Sequence, residues 1–184
     1  RIPPLILGHE VVGIVQSATA DSGVETGDRV VVNPLETCGA CVACTEGKEN
    51  RCTDWRLLGM DQEQGGFAER VAVAARNLTV IAPDLPIEVA AMTEPLANTV
   101  HVLGIVAAEP VRTMLILGAG TQGSLATILA RRAGIERIAV SETDPARLAL
   151  AGELGAHLCL NPRVADVAEE VRHWSEGGVD LVLD

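Results

Sequence analysis

Two hydrophobic rhythms divide the chain. Residues 10–16 (E-V-V-G-I-V-Q) and 28–32 (D-R-V-V-V) are rich in β-branched side chains and are joined by polar, glycine-containing residues, a pattern that predicts strand, turn, strand. After a cysteine-rich loop, residues 66–74 (G-F-A-E-R-V-A-V-A) alternate in part at period two and predict another strand of the same small β domain. Pro83 and Pro86 interrupt the next stretch. Glu94-Pro95 then opens an apolar helical stretch to about residue 107, with the proline where a first helical turn accepts it. From residue 113 short apolar runs alternate with helical ones: 114–117, a helix over 122–133, 137–140, a helix over 145–154, 157–160, a helix over 164–174, and 179–183. Such alternation predicts a parallel, doubly wound sheet. The expected organisation is a β-rich domain over residues 1–93 and a linking helix with an α/β domain over 94–184.

Composition narrows the classes. Of 184 residues 48% are apolar, enough for one well-buried core or two small domains. Trp55, Trp174 and Phe67 are the whole aromatic set, so the core must be packed from Val, Leu, Ile and Ala. No apolar run approaches the roughly 18 residues of a membrane span, and the first residues lack the basic start and hydrophobic stretch of a signal peptide, so the expected compartment is the cytoplasm and no membrane partner is expected. A net charge of -11 with scattered Lys and Arg argues against nucleic acid as a partner, because neutralising phosphates needs clustered basic side chains. Five cysteines, four of them in one short segment, favour metal or redox chemistry over disulfides in such a chain.

Gly118-Ala119-Gly120-Thr121-Gln122-Gly123 follows a buried strand and opens a helix, the context that a G-x-G-x-x-G dinucleotide turn requires. Gly118 permits the tight turn, Gly120 lets the backbone approach a pyrophosphate, and Gly123 allows close helix–strand packing, with free N–H groups and a positive dipole end for the anion. A nucleotide-free strand–helix turn is the bland alternative. Glu142 stands nineteen positions after Gly123, at the end of the next strand, where a carboxylate accepts hydrogen bonds from an adenosine ribose diol and repels a 2′-phosphate. This points to NAD in preference to NADP. Arg147, near the start of the next helix, either lines the adenosine pocket or is a helix-surface arginine.

Cys38, Cys41, Cys44 and Cys52 are spaced C-x2-C-x2-C-x7-C, which suits a closed, structural tetrahedral zinc site. An iron–sulfur cluster is the rival, disfavoured by the long last spacing and the lack of a following proline. Gly39 and Gly47 give the backbone room to fold around an ion, and Lys48, Arg51 and Arg56 could offset the thiolate charge. Cys159, in a buried-strand pattern, reads as a small core hydrophobe. Gly8-His9-Glu10 and Glu94-Pro95-Leu96-Ala97 are each weak alone: a lone histidine is commonly a hydrogen-bonded structural residue, and an acidic residue at a helix start complements the helix dipole.

Taken together, G-H-E, the four-cysteine lobe, G-G-F-A-E, E-P-L-A and G-A-G-x-x-G resemble the medium-chain zinc alcohol dehydrogenases over essentially the whole chain, in particular the polyol, sorbitol and threonine dehydrogenase branch. The resemblance implies a partial GroES-like catalytic domain carrying a structural-zinc lobe over residues 38–52, followed by a partial Rossmann domain. It implies His9 as a ligand of a catalytic zinc, Glu10 as a ligand or neighbouring carboxylate, and Glu94 near that metal. It also places Gln122, Glu142 and Arg147 at the cofactor. The family's first zinc-binding cysteine lies upstream of G-H-E, outside this sequence, so a fragment of a longer protein is expected. The implied reaction is hydride transfer between a small-molecule alcohol and NAD, with zinc lowering the pKa of the substrate hydroxyl. A homo-oligomer, dimer or tetramer, is implied as well. A zinc-free NAD(P)-dependent reductase of the same fold and a catalytically silent nucleotide-binding scaffold are the rival readings. His101 shares a helix face with Glu94 and either helps shape the cleft or, the favoured expectation, is a packed structural histidine.

Overall fold

The computed structural model describes residues 5–61, 64–106 and 110–184, and the chain divides into two units, Arg1–Glu94 and Pro95–Asp184. In the first unit, β1 (Val12–Ile14), β2 (Arg29–Val32), β3 (Leu35–Glu36), the short helix α1 (Val42–Thr45), β4 (Arg56–Leu57), β5 (Leu78–Val80) and α2 (Ile87–Ala90) follow in order. β1, β2 and β5 form an antiparallel sheet with β2 in the middle, and β3 pairs with β4. The central position of β2 explains its unbroken Val30-Val31-Val32 run, all three of which are buried. Buried Asn77 donates its side-chain amide to the carbonyls of Asn33 (2.7 Å) and Leu35 (2.8 Å), which fixes the chain's turn from β2 into β3.

Residues 66–74 depart from expectation, since they form no strand and β5 supplies the third strand instead. The reason is a competing partner. The N–H of Gly66 donates to Gly8 O at 2.8 Å and that of Phe67 to Leu7 O at 2.9 Å, so this backbone is tied to the segment before His9. The approach is close enough to demand glycine: a Cβ on Gly65 would lie 2.1 Å from Ile6 O, and one on Gly59 would lie 2.2 Å from Gly8 O.

The second unit is the regular one. α3 (Thr93–Val106) crosses the boundary, and then come β6 (Thr113–Leu117), α4 (Thr121–Arg132), β7 (Arg137–Ser141), α5 (Pro145–Glu153), β8 (Leu158–Leu160), α6 (Val167–Trp174) and β9 (Leu181–Leu183). The sheet is parallel with strand order β8-β7-β6-β9. The period-two alternation sorts its two faces. Met114, Ile116, Ile138 and Val140 pack with Ala126 and Ala130 of α4 and Ala151 of α5, whereas Leu115 and Ala139 pack with Val171 of α6 on the other face. Each larger side chain buried this way stabilises the fold by about 1.5–3 kcal/mol. The order of strands reverses between β6 and β9, so the crevice at their carboxyl ends is the switch point where such sheets bind ligands.

Side-chain caps set the helix starts. Asp144 accepts from the N–H groups of Ala146 and Arg147 at the start of α5. Asp166 accepts from Glu169 N at 3.0 Å, so α6 begins at Val167 rather than at residue 164. The Asp180 carboxylate accepts from Arg112 N, Thr113 N and Thr113 Oγ1, which hold its carboxyl below the usual range and pin the start of β6 beside β9. Among the described residues no helix is long and apolar enough to cross a membrane.

Candidate functional site

The four cysteines come together around α1. Their Sγ separations include 3.5 Å (Cys41–Cys44), 3.6 Å (Cys38–Cys52) and 4.0 Å (Cys38–Cys44). A tetrahedral ion with bonds of about 2.3 Å to sulfur needs edges of about 3.8 Å, so these sulfurs already outline a single-ion site. They are too close to enclose the inorganic sulfides of a multi-iron cluster. Backbone N–H groups point at the sulfurs: Cys41 N lies 3.3 Å from Cys38 Sγ, and Cys38 N and Asp54 N each lie 3.4 Å from Cys52 Sγ. Donors aimed at sulfur favour thiolate. The N–H groups of Cys44 and Thr53 draw the Cys41 thiol down to about 6, while burial and then the neighbouring thiols push Cys44 up to about 12. Gly39 and Gly47 adopt φ of 70° and 73°, the left-handed conformation that lets the loop close on itself. Lys48 is turned to Glu46, 2.8 Å away.

A second cluster lies in the same unit. One nitrogen of His9 and one carboxylate oxygen each from Glu10 and Glu94 fall within 4.8 Å of one another. One imidazole and two carboxylates form a donor set that zinc accepts, and three protein ligands leave a coordination position for a water or substrate. The segment leading into His9 is held by the N–H groups of Gly66 and Phe67 and lies close against the backbone of Gly59 and Gly65. Glu94 stands in the first turn of α3, next to fully buried Pro95, which anchors that turn. His101 is exposed rather than packed.

The glycine turn lies between β6 and α4. Gly118 has φ of 91°, and a Cβ on Gly123 would sit 1.9 Å from Gly118 O, so the helix can start this close to the strand only with glycine there. A Cβ on Gly120 would meet nothing within 4 Å, so the space in front of the helix N-terminus is open on this side, and a helix N-terminus of this kind favours an anion. Glu142 is buried and braces this loop. Its Oε2 accepts from Ala119 N at 2.8 Å, and its Oε1 from Thr143 N at 2.6 Å and Asp144 N at 2.8 Å. The N–H groups of Asp144, Ala119 and Thr143 hold its carboxyl at about 2 against a usual 4.5. The motif spacing marks this carboxylate only as a ribose acceptor; its grip on the glycine loop is visible only in three dimensions. Arg147 is exposed on the first turn of α5, and Gln122 on the first turn of α4 is hydrogen-bonded to buried Thr99 of α3. Thr99 carries no sequence signal beyond helical periodicity. Cys159 packs against the core with its thiol raised by burial.

Known proteins match this chain in sequence and fold. The model for the alcohol dehydrogenase GroES-like domain matches residues 1–84, and the model for zinc-binding dehydrogenases matches residues 123–184. The chain belongs to the zinc-binding, medium-chain alcohol dehydrogenase family, with a GroES-like part followed by a Rossmann-type part. It is 36% identical over 184 residues to the L-threonine 3-dehydrogenase of Symbiobacterium thermophilum (99% of this chain, 52% of that protein). It is 35% identical over 185 residues to the sorbitol dehydrogenase of Bacillus subtilis (98% and 52%). A structure from Sinorhizobium meliloti, described as a zinc-binding dehydrogenase bound to NADP, superposes with a TM-score of 0.90 at 35% identity, covering 98% of this chain and 54% of that one. The chain thus spans about half the length of the relatives it matches.

Proposed function

We propose that the full-length protein is a zinc-dependent alcohol dehydrogenase that oxidises a polyol, sugar alcohol, amino alcohol or other secondary alcohol with NAD. The observation that carries this reading is the convergence of His9, Glu10 and Glu94, drawn from segments far apart in sequence, into one small N/O donor cluster. His9 and Glu94 act as ligands of a catalytic zinc, with Glu10 as a third ligand or adjacent carboxylate. Cys38, Cys41, Cys44 and Cys52 hold a second, structural zinc. When bound, zinc supplies Lewis acidity toward an alcohol oxygen and the dinucleotide supplies a hydride acceptor.

The chain's own groups do the positioning. Gly118, Gly120 and Gly123 let backbone N–H groups reach a pyrophosphate. Glu142 stays ionised across the working range, and its Oε2, which takes one backbone donor, has capacity for a ribose hydroxyl. The same negative charge repels a 2′-phosphate, which supports NAD over the NADP found in the Sinorhizobium meliloti structure. Arg147 borders the adenosine side of the cradle.

The test is zinc per chain on the full-length protein by elemental mass spectrometry, before and after mild chelation, while NAD reduction is followed with a pool of alcohols. Two zincs, with activity lost alongside the more labile one, is the expected result. One tightly held zinc and no alcohol-dependent reduction of NAD would overturn the proposal in favour of a zinc-free reductase or a silent scaffold.

A further inference from the structure

Glu94 reaches the His9–Glu10 cluster at the end of an arm that has little packing of its own. From Pro86 onward the arm is tied together by Ala90 N to Pro86 O (2.9 Å), Ala91 N to Ile87 O (2.9 Å) and Thr93 Oγ1 to Ala90 O (2.7 Å). Such helical bonds pass a shift at the start of α2 on to the residues that follow it. Ala90 is the only buried residue of α2, while Ile87 and Val89 are exposed. Burying one methyl group contributes only about 0.8 kcal/mol, so α2 depends on what holds its ends. Buried Pro95 anchors the far end.

Arg29 holds the near end. Its backbone is locked in β2, opposite Ile14 of β1, with its carbonyl accepting from Ile81 N at 2.9 Å. From that platform the guanidinium donates through Nη1 to Pro83 O and through Nη2 to Leu85 O at 2.7 Å, just before α2 begins. A planar fork with fixed N–H directions can grip two carbonyls at once, which the point charge of a lysine does not reproduce. The other donors of the cluster hang from the same strand: Val32 N of β2 donates to Val11 O at 3.0 Å, one residue past Glu10. The arm that carries Glu94 and the segment that carries His9 and Glu10 are thus both tied to β2. We propose that Arg29 is a positioning residue, whose grip on Pro83 and Leu85 fixes the arm and sets the place of Glu94 relative to His9 and Glu10. The inference rests on the reading of those three residues as a metal site and gives a role in it to a side chain outside the donor set.

The experiment measures the affinity of the more labile zinc in the full-length protein by competition with chelators of graded strength, and counts total zinc per chain. Arg29→Met, which keeps the aliphatic stem and removes the donors, weakens the labile zinc about tenfold, the low end for groups that support a metal ligand, and retains the zinc of the cysteine lobe. In a Glu94→Ala background the same change has an effect within about twofold, because the ligand it places is already gone. Tenfold weakening in both backgrounds would mean that Arg29 serves the unit as a whole, and no weakening in the wild-type background would free Glu94 from it; both results overturn the inference. Arg29→Lys, which keeps the charge and loses the fork, shows the same loss as Arg29→Met, and wild-type affinity there would overturn the inference by showing that charge suffices. The lysine variant also carries the test if Arg29→Met sheds the lobe zinc and so proves misfolded. A wild-type protein that holds only the lobe zinc overturns the metal reading of His9, Glu10 and Glu94 itself, and the inference with it.

Discussion

Glu142 shows how one side chain can serve both fold and site. Its carboxylate ties Ala119, within the glycine turn, to the end of β7, so the cradle's shape depends on its charge. Because its folded value is about 2 and its ordinary value 4.5, the stabilisation it contributes is fully present above about pH 4.5 and is lost as pH falls toward 2. Glu142→Gln removes this dependence. Urea unfolding of the two proteins should show a stability gap that is constant above about pH 5 and shrinks below it. A gap that stays flat down to pH 3 would count against the clamp. Glu142→Ala, which orphans the buried N–H of Ala119, should cost about 1–3 kcal/mol.

At the scale of elements, the cysteine lobe shows what a short segment gains from an ion. α1 has four residues, no capping side chain and no buried residue, so nothing in its own packing holds it. Thiolate–metal bonds would supply that stability, and metal binding must displace the proton that burial holds on Cys44. Cys44→Ser in the full-length protein should therefore lose one zinc per chain and open residues 38–52 to limited proteolysis. Zinc retention in the wild type should fall steeply as pH drops, because each thiolate that regains a proton is a lost ligand. Unchanged zinc content in the variant would remove Cys44 from the ligand set.

For the whole molecule, the residues proposed for the metal and those proposed for the dinucleotide belong to different units. His9, Glu10 and Glu94 belong to Arg1–Glu94, whereas Gly118, Gly120, Gln122, Gly123, Glu142 and Arg147 all belong to Pro95–Asp184. Binding of dinucleotide and binding of metal should consequently separate on mutation. Glu94→Ala is expected to reduce turnover by about 100-fold or more, since even groups that only support a metal ligand cost about 10–100-fold when lost, while NADH affinity stays within about twofold. Steady-state kinetics and fluorescence titration of the same preparation check both halves of this prediction. A parallel loss of NADH binding would show that Glu94 supports the fold of α3 rather than the metal.

The local rhythm of the sequence determined the element types of the α/β half, because alternation at period two along β6 and β7 states which side chains each face of the sheet must bury. Glycine and cysteine spacing marked the cradle and the lobe for the same reason: both are built within short stretches of chain. Tertiary structure alone decided the rest. Residues 66–74 carry a strand-like pattern, but their backbone bonds to the Leu7–Gly8 segment, a pairing between segments far apart that no local periodicity encodes. The start of α6 was settled by one aspartate competing for the helix's first N–H groups. The meeting of His9 with Glu94, the grip of Glu142 on Ala119 and the bond from Thr99 to Gln122 likewise join distant segments. Periodicity specifies which face is buried; which distant polar groups meet is chosen by how closely the backbones approach once those faces are packed.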